Sequence, residues 1–251
     1  MLKKFLVGAA ATAAILAPTM ASAESSGVVG FQYTNNEIDS FDWDNYGIEG
    51  AFAHTFGNGT YVQFDAASGR TDFMGADLST GYGALHYGIR NDSYAFGGFV
   101  SFDEYLYFSG LGLGVEGQYY LPNMVFTGTL ANISFDEPID ENSTAAAIDA
   151  TYFFSPNLSV TGALTFADDK LYGDDLTVWG IGGEYRFASN PISIELGYRQ
   201  ADVFDDDATA WTIGFNIDLG AETLYDRATN GASFNGAERL HETLTVVPSG
   251  P

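Results

Sequence analysis

The sequence predicts an all-β protein, a transmembrane antiparallel up-and-down β-barrel of about 12 strands that follows a cleaved signal peptide. Three observations carry that prediction. Apolar residues alternate with small or polar ones from Gly27 to Leu219, the connections alternate between tight and long, and aromatic residues gather near the strand ends. A side-chain period of two is the signature of a strand with two unlike faces. No helical period of comparable length precedes the C-terminal tail.

Met1 to Ala23 has the build of an export signal. Lys3 and Lys4 form a positive start, Phe5 to Ala17 an apolar core, and Ala21-Ser22-Ala23 a small-residue cleavage site. An apolar core this short falls below the ~20 residues that a helix needs to cross a bilayer. The chain therefore divides into a signal peptide at 1–23, a barrel at 24–219 and an expected periplasmic C-terminal extension at 220–251, with partial plugging of the barrel by that tail as the alternative.

Segments with period-two patterning start near residues 27, 44, 60, 79, 94, 109, 124, 144, 158, 176, 192 and 208. Ala146, Ile148, Ala150, Tyr152 and Phe154 share one face, for example, opposite Ala147, Asp149 and Thr151. Lengths of roughly 9–12 residues suit a tilted membrane strand. Five connections are tight: Gly57-Asn58-Gly59, Asn91-Asp92, Leu121-Pro122-Asn123, Ser155-Pro156-Asn157 and Ala188 to Pro191. Gly and Asn tolerate the positive φ of hairpin turns, and Pro fixes φ. The other six, near 36–43, 69–78, 103–108, 136–143, 168–175 and 201–207, are longer and polar. Antiparallel neighbours must place apolar residues on the same face. Pairing Phe52 with Phe64, Tyr152 with Val160, Tyr185 with Ile194 and Tyr87 with Phe96 satisfies that parity. The seventh strand does not, because Met124, Phe126 and Leu130 compete with Val125, Ile133 and Phe135. A bulge is one solution and is left unassigned.

A soluble β-sandwich shows similar alternation. Here the face opposite the apolar one is Gly, Ala, Ser and Thr with isolated charges, where a soluble exterior would carry many Lys and Glu. Two aromatic belts are also expected. Phe56, Tyr87, Tyr94, Tyr119, Phe154 and Phe187 mark the turn side, and Tyr33, Phe102, Tyr105, Tyr107, Phe135, Phe166, Trp179, Tyr198 and Trp211 the loop side. Aromatic girdles at both interfaces distinguish a membrane barrel. Its inner wall would be small-residue and partly water-filled. The pore-lining charges are Glu49, Asp65, Glu116, Asp149, Glu184, Arg186, Glu195, Arg199 and Asp218. Seven acids against two bases fit either a solvated lumen wall with local ion pairing, since isolated inward charges are ordinary in such barrels, or a cation-favouring path, because carboxylate rings select cations. Glu184 and Glu195 should face each other, with Arg186 diagonal to Glu195.

Charge excludes one partner class. With 33 acids, 9 bases and a net charge of -24, the chain cannot neutralise a phosphate backbone, so no nucleic-acid partner is expected. Twenty of the acids lie in or beside the six long loops, making an acidic rim. Asp168, Asp169, Asp174, Asp175, Asp205, Asp206 and Asp207 could hold Ca or Mg loosely as hard oxygen ligands. They lack the spacing of a dedicated loop, so no specific metal site and no cofactor are expected. The absence of Cys removes disulfides and thiolate chemistry. His54 falls on the apolar face, His86 points inward without a readable Ser or Asp partner, and His241 lies in the tail. No catalytic constellation emerges, so no enzyme is expected.

The signal segment, the alternating strands and the final strand Thr212-Ile-Gly-Phe-Asn-Ile-Asp-Leu219 resemble a Gram-negative outer-membrane β-barrel of the porin superfamily. Thr212, Gly214, Ile217 and Leu219 are similar to the barrel-assembly signal of that group. The resemblance implies location in the cell outer membrane, contact with its lipid and the barrel-assembly machinery, and passive diffusion of ions and small hydrophilic solutes. The chain departs from the group in running 32 residues past the last strand and in lacking a long constriction loop. A structural or surface-interaction barrel without an open pore is the alternative expectation. The sequence leaves the oligomeric state open.

Overall fold

In the computed structural model, residues 25–39, 41–73, 76–105, 108–136, 141–169, 174–203 and 206–244 are described. The signal segment, Tyr107 and Asp205 lie outside them. Twelve strands follow in chain order: β1 (Ser25–Ile38), β2 (Phe41–Thr55), β3 (Thr60–Phe73), β4 (Ala76–Arg90), β5 (Tyr94–Tyr105), β6 (Phe108–Leu121), β7 (Met124–Phe135), β8 (Asn142–Ser155), β9 (Leu158–Asp169), β10 (Asp174–Arg186), β11 (Ile192–Val203) and β12 (Asp206–Leu219). Each pairs antiparallel with its neighbours, and β1 pairs with β12 to close the barrel. Closure leaves no open edge, which is the condition for a sheet to survive in hydrocarbon.

The expected strand starts agree with the structure to within a few residues, and the tight turns sit where Gly, Asn and Pro placed them. At Gly57-Asn58-Gly59, Gly59 takes a φ of 81° and its N–H donates to the Phe56 carbonyl at 2.8 Å. The long loops are shorter than expected. Residues 36–38 and 41–43, for instance, continue the β1–β2 ladder, so much of the acidic rim stands on paired strand ends.

The outward face is apolar. Phe31, Leu85, Leu111, Leu113, Val115, Leu130, Ile148, Leu196 and Phe215 are all exposed, as lipid-facing residues of an unembedded barrel must be. Phe56, Tyr87, Tyr94, Tyr119, Phe154 and Phe187 are exposed near the turns, and Tyr33, Phe166, Trp179 and Trp211 nearer the loops. Phe135 leaves the expected belt, because it faces inward and is buried. Strand β7 also needs no bulge. It pairs in unbroken register with both β6 and β8, and the irregularity occurs instead between Phe153 and Ser155. Val125, Ala131, Ile133 and Phe135 point inward while Phe126 and Leu130 point out. The two faces compete because both are covered by something apolar.

What covers the inner face is the chain's own tail. Residues 220–244 turn into the lumen instead of extending away from the barrel as the expected periplasmic extension would. They form α1 (Leu224–Asn230) and α2 (Gly236–Leu244). Gly220 makes the turn possible: its φ is 96°, and a Cβ there would lie 2.7 Å from the Ser25 carbonyl oxygen. Thr223 caps α1 by accepting the Asp226 N–H at 3.0 Å, and the Asp226 carboxylate accepts the Glu222 N–H at 2.9 Å. These reciprocal bonds satisfy donors at the start of the helix. α2 packs against β4 to β9. Leu240 and Ala237 join Tyr82, Phe99, Ile133 and Phe135 in one cluster, and Leu224 and Phe234 join Tyr61, Tyr120, Val125 and Phe153 in another.

Because the outward face is apolar, charge there should cost far more in a bilayer than charge on the inside. Leu113→Arg, near the middle of β6, is expected to lose about 2–4 kcal/mol of folding stability in lipid vesicles. Urea titration of the folded barrel measures the loss. A change no larger than that of an inward Gly182→Arg would contradict the assignment of faces.

Candidate functional site

The inward charges meet the tail rather than an open lumen. β10 and β11 place Glu184 opposite Glu195, as the register requires. Two carboxylates so placed repel unless a cation or donors intervene. Asn216 of β12 donates to both, at 3.1 Å to Glu184 and 3.4 Å to Glu195, and Ser193 donates to Glu184 at 2.5 Å. The cation comes from α1. Arg227 pairs with Glu184 and, at 2.9 Å, with Asp218. Arg186 does not lie against Glu195. It pairs with Asp218 at 2.9 Å and donates to the Ala221 and Glu222 carbonyls where the chain enters the lumen.

A second arginine repeats the arrangement higher up. Arg239 of α2 pairs with Asp149 of β8 at 3.1 Å and with Glu242 at 2.6 Å, and Arg199 of β11 reaches Glu242 at 3.4 Å. His241 pairs with Asp103 at 3.0 Å. His86, for which no partner was readable, is buried between Asp65 (2.9 Å) and Glu116, with the rings of Phe99 and Phe234 beside it. Glu116 in turn accepts the Gly236 N–H at 2.9 Å. Gly236 has no room for a side chain, since a Cβ would meet Phe99, Glu116 and Thr129 at 2.7–3.0 Å. His86 thus braces a tail-binding carboxylate, and its partners are those of an ion-pair network rather than a nucleophile. His54 lies near the turns, with Nδ1 at 2.7 Å from the Ser25 hydroxyl and an edge contact to Phe56.

Neutral groups complete the seat. Gln63 donates to the Phe234 carbonyl at 2.6 Å and accepts its N–H at 3.1 Å. Gln118 donates to the Ser233 carbonyl at 2.7 Å, and Arg90 to the Gly231 carbonyl at 2.6 Å while lying 3.9 Å over the Tyr61 ring. None of these wall residues was singled out from the sequence. The available signal was charge arithmetic: seven inward acids faced two inward bases, and the tail carries Arg227 and Arg239.

Glu49, Glu195 and Glu238 line the same cavities as Arg199, Arg227 and Arg239. Glu49 accepts from Gln32 at 2.7 Å. Adjoining cavities of about 180, 100 and 240 Å³ run between the tail and the wall, the first mainly along β9–β12, the second along β1–β4 and the third toward the turn end, and all three are bordered by Glu49 and Glu238. They exist because α2 leans on β4 to β9. The first also touches Arg199, Thr165 and Thr212 toward the loops, and the third Arg227, Ala228 and Ala232 toward the turns.

The rim acids fall at strand ends. Asp168 lies opposite Asp175, Asp169 opposite Asp174, and Asp202 opposite Asp207, while Asp206 starts β12. Among the described residues no three His, Asp or Glu side chains converge on a metal-sized site. In the assembly-signal segment, Thr212 shares a hydroxyl hydrogen bond with Thr34 at 2.9 Å, Gly214 lies opposite Glu195, Ile217 pairs with Ile192 and Leu219 with Gly27.

At the level of sequence, no family model and no curated relative matches the chain. Solved structures do match its fold. It is similar to the NanC porin (TM-score 0.59, 10% identity, 75% of this chain and 98% of that one). The KdgM porin gives 0.52 at 10% identity with the same coverage, and it has also been solved in complex with disordered oligogalacturonate. CymD, a monoaromatic hydrocarbon channel, gives 0.52 at 6% identity over 80% of this chain and 89% of that one. The shared feature is the closed antiparallel barrel.

Arg227 is the cation on which Glu184 and Asp218 both depend. Removing one member of a buried pair strands a charge, at about 3–5 kcal/mol. Arg227→Gln should therefore accelerate hydrogen exchange at the α1 and α2 amides while leaving β3 to β8 slow. Unchanged exchange in the helices would mean that the ion pairs do not seat the tail.

Proposed function

We propose that this protein is an outer-membrane channel for ions and small hydrophilic solutes, narrowed by its own C-terminal tail and favouring cations. The observation that carries the reading is the run of cavities beside α2, with Glu49 and Glu238 at their common border. A tail pressed on one side of a 12-stranded wall leaves the other side wet. The acids bordering these cavities, Glu49, Asp65, Glu184, Glu195, Glu238 and Glu242, outnumber Arg199, Arg227 and Arg239 beside them. In a confined, low-dielectric path, such excess negative charge attracts cations and repels anions.

Support for a channel also comes from the structures of like fold, two of them porins and one a hydrocarbon channel. The wall of this chain differs from a sugar-acid path in one chemical respect: its inward charge is dominated by acids, which would repel a polyanion such as oligogalacturonate. Small cations and neutral polar solutes suit it better. Lipid on the apolar face and the outer-membrane assembly machinery are the partners that this reading requires. The alternative, a closed surface barrel, is favoured by the aromatic clusters that join tail to wall.

Planar-bilayer recording of the purified full chain separates the two. The channel reading expects small, steady conductance steps with cation preference, and larger steps when Arg227→Gln and Arg239→Gln together loosen the tail. Silence from both proteins would sink the channel. Glu49→Gln with Glu195→Gln should shift the reversal potential toward zero selectivity, and an unaltered potential would remove the cation preference from the proposal.

A further inference from the structure

Helix α2 has two unlike faces. Ala237, Leu240 and His241 fall at i, i+3 and i+4 and are buried, the first two in the cluster of Tyr82, Phe99 and Ile133 and the third against Asp103. Glu238 and Glu242, four residues apart, share the other face, and both border the first two cavities. Glu242 is held there by Arg239 and Arg199. Among the described residues, Glu238 has no hydrogen bond and no ion pair.

The first cavity, which opens toward the loops, and the third, toward the turns, meet at Glu49, Ser159, Thr161, Glu184, Glu195 and Glu238. A solute moving between them along the lumen passes this junction. Two glycines of the wall make room for its acids. Gly30 of β1 stands opposite Glu49, and a Cβ there would lie 2.9 Å from Glu49 Oε1. Gly214 of β12 stands opposite Glu195, and a Cβ there would lie 3.6 Å from Glu195 Oε2. Both glutamates therefore lie over bare backbone beside the β1–β12 seam, Glu49 bonded to Gln32 and Glu195 to Asn216. Glu184 is paired with Arg227. The fourth carboxylate, Glu238, comes from the tail, where the Gly236–Glu116 bond and the Arg239–Asp149 pair set the position of α2.

We infer that Glu238 is a specificity-determining residue of the channel: the seated tail completes the wall of the conduit and supplies the fourth carboxylate of its junction. The narrowing element and part of the charge filter are then one piece of chain. This rests on the channel reading above. Small inorganic cations are drawn through the junction, and chloride or carboxylate-bearing solutes are repelled, because a confined, low-dielectric passage strengthens the field of its fixed charges. The wall acids stay in place when the tail loosens. Glu238 leaves with the helix, so its share of the selectivity exists only while the tail is seated.

Reversal potentials under a KCl gradient across a planar bilayer test this with the full-length chain. Four proteins are compared: the natural chain, Glu238→Gln, the loosened double variant Arg227→Gln with Arg239→Gln, and that double variant carrying Glu238→Gln as well. The expected result is a shift toward zero from Glu238→Gln alone, comparable to that from Glu49→Gln, and a much smaller shift from the same change in the loosened chain. No shift in the seated chain overturns the inference, as do equal shifts in both backgrounds. Hydrogen exchange at the α2 amides of Glu238→Gln should stay as slow as in the natural chain; faster exchange would make Glu238 part of the seat and also overturn it. Silence from the natural chain and the loosened variant alike fails the channel reading itself, whereas conductance indifferent to Glu238 fails only this inference.

Discussion

Everything in this structure depends on the hydrogen-bonded closure of β1 onto β12. In hydrocarbon there is no water to satisfy a free strand edge, and each unsatisfied backbone group costs several kcal/mol. Gly27 to Ile38 therefore pair residue for residue with Leu219 back to Ala208. Once the ring is closed, the pleat sorts side chains automatically. Alternate residues of every strand form the apolar outer face, and the rest are confined to the interior.

That confinement creates the electrostatic problem that the tail answers. Carboxylates such as Asp65, Glu116, Asp149 and Asp218 are almost wholly buried. A buried charge needs a partner, since desolvation otherwise exceeds what the site can return. Arg186 and Arg199 on the strands do not serve all of them, and Arg90 is engaged by the Gly231 carbonyl of the tail. Arg227 and Arg239 arrive from the tail, His86 stands between Asp65 and Glu116, and the helix start at Gly236 supplies an N–H to Glu116. The same steps bury Phe234 and Leu240 against aromatic residues of the wall. Polar pairing fixes where the tail sits, and apolar burial supplies much of the reason to stay.

The asymmetry of the seat has a functional side. Large inward residues, Tyr82, Phe99, Ile133, Phe135, occur on β4, β5 and β7, whereas β10 and β11 present Gly180, Gly182 and Gly197 inward. A helix therefore packs toward the bulky side, and the glycine side is left as cavity bordered by Glu49, Glu195 and Glu238. The position of the cavities follows from where bulk is placed around the ring.

Strand number, strand starts, tight turns and the facing of Glu184 toward Glu195 were legible in the sequence, because period-two patterning and turn chemistry are local and strands pair with their neighbours in the chain. The conflict on β7 was legible too, but its meaning was not: Ile133 and Phe135 read as misplaced lipid contacts until α2 is seen against them. The wall residues Gln63, Arg90 and Gln118 carried no local signal, since their partners lie more than a hundred positions away. By itself the sequence determined a closed barrel with an apolar outside and an acidic inside. Only the tertiary structure decided that the inside is occupied by the chain's own end, because a lumen has no fixed sequence distance from its occupant and charge balance across such a gap leaves no periodic trace.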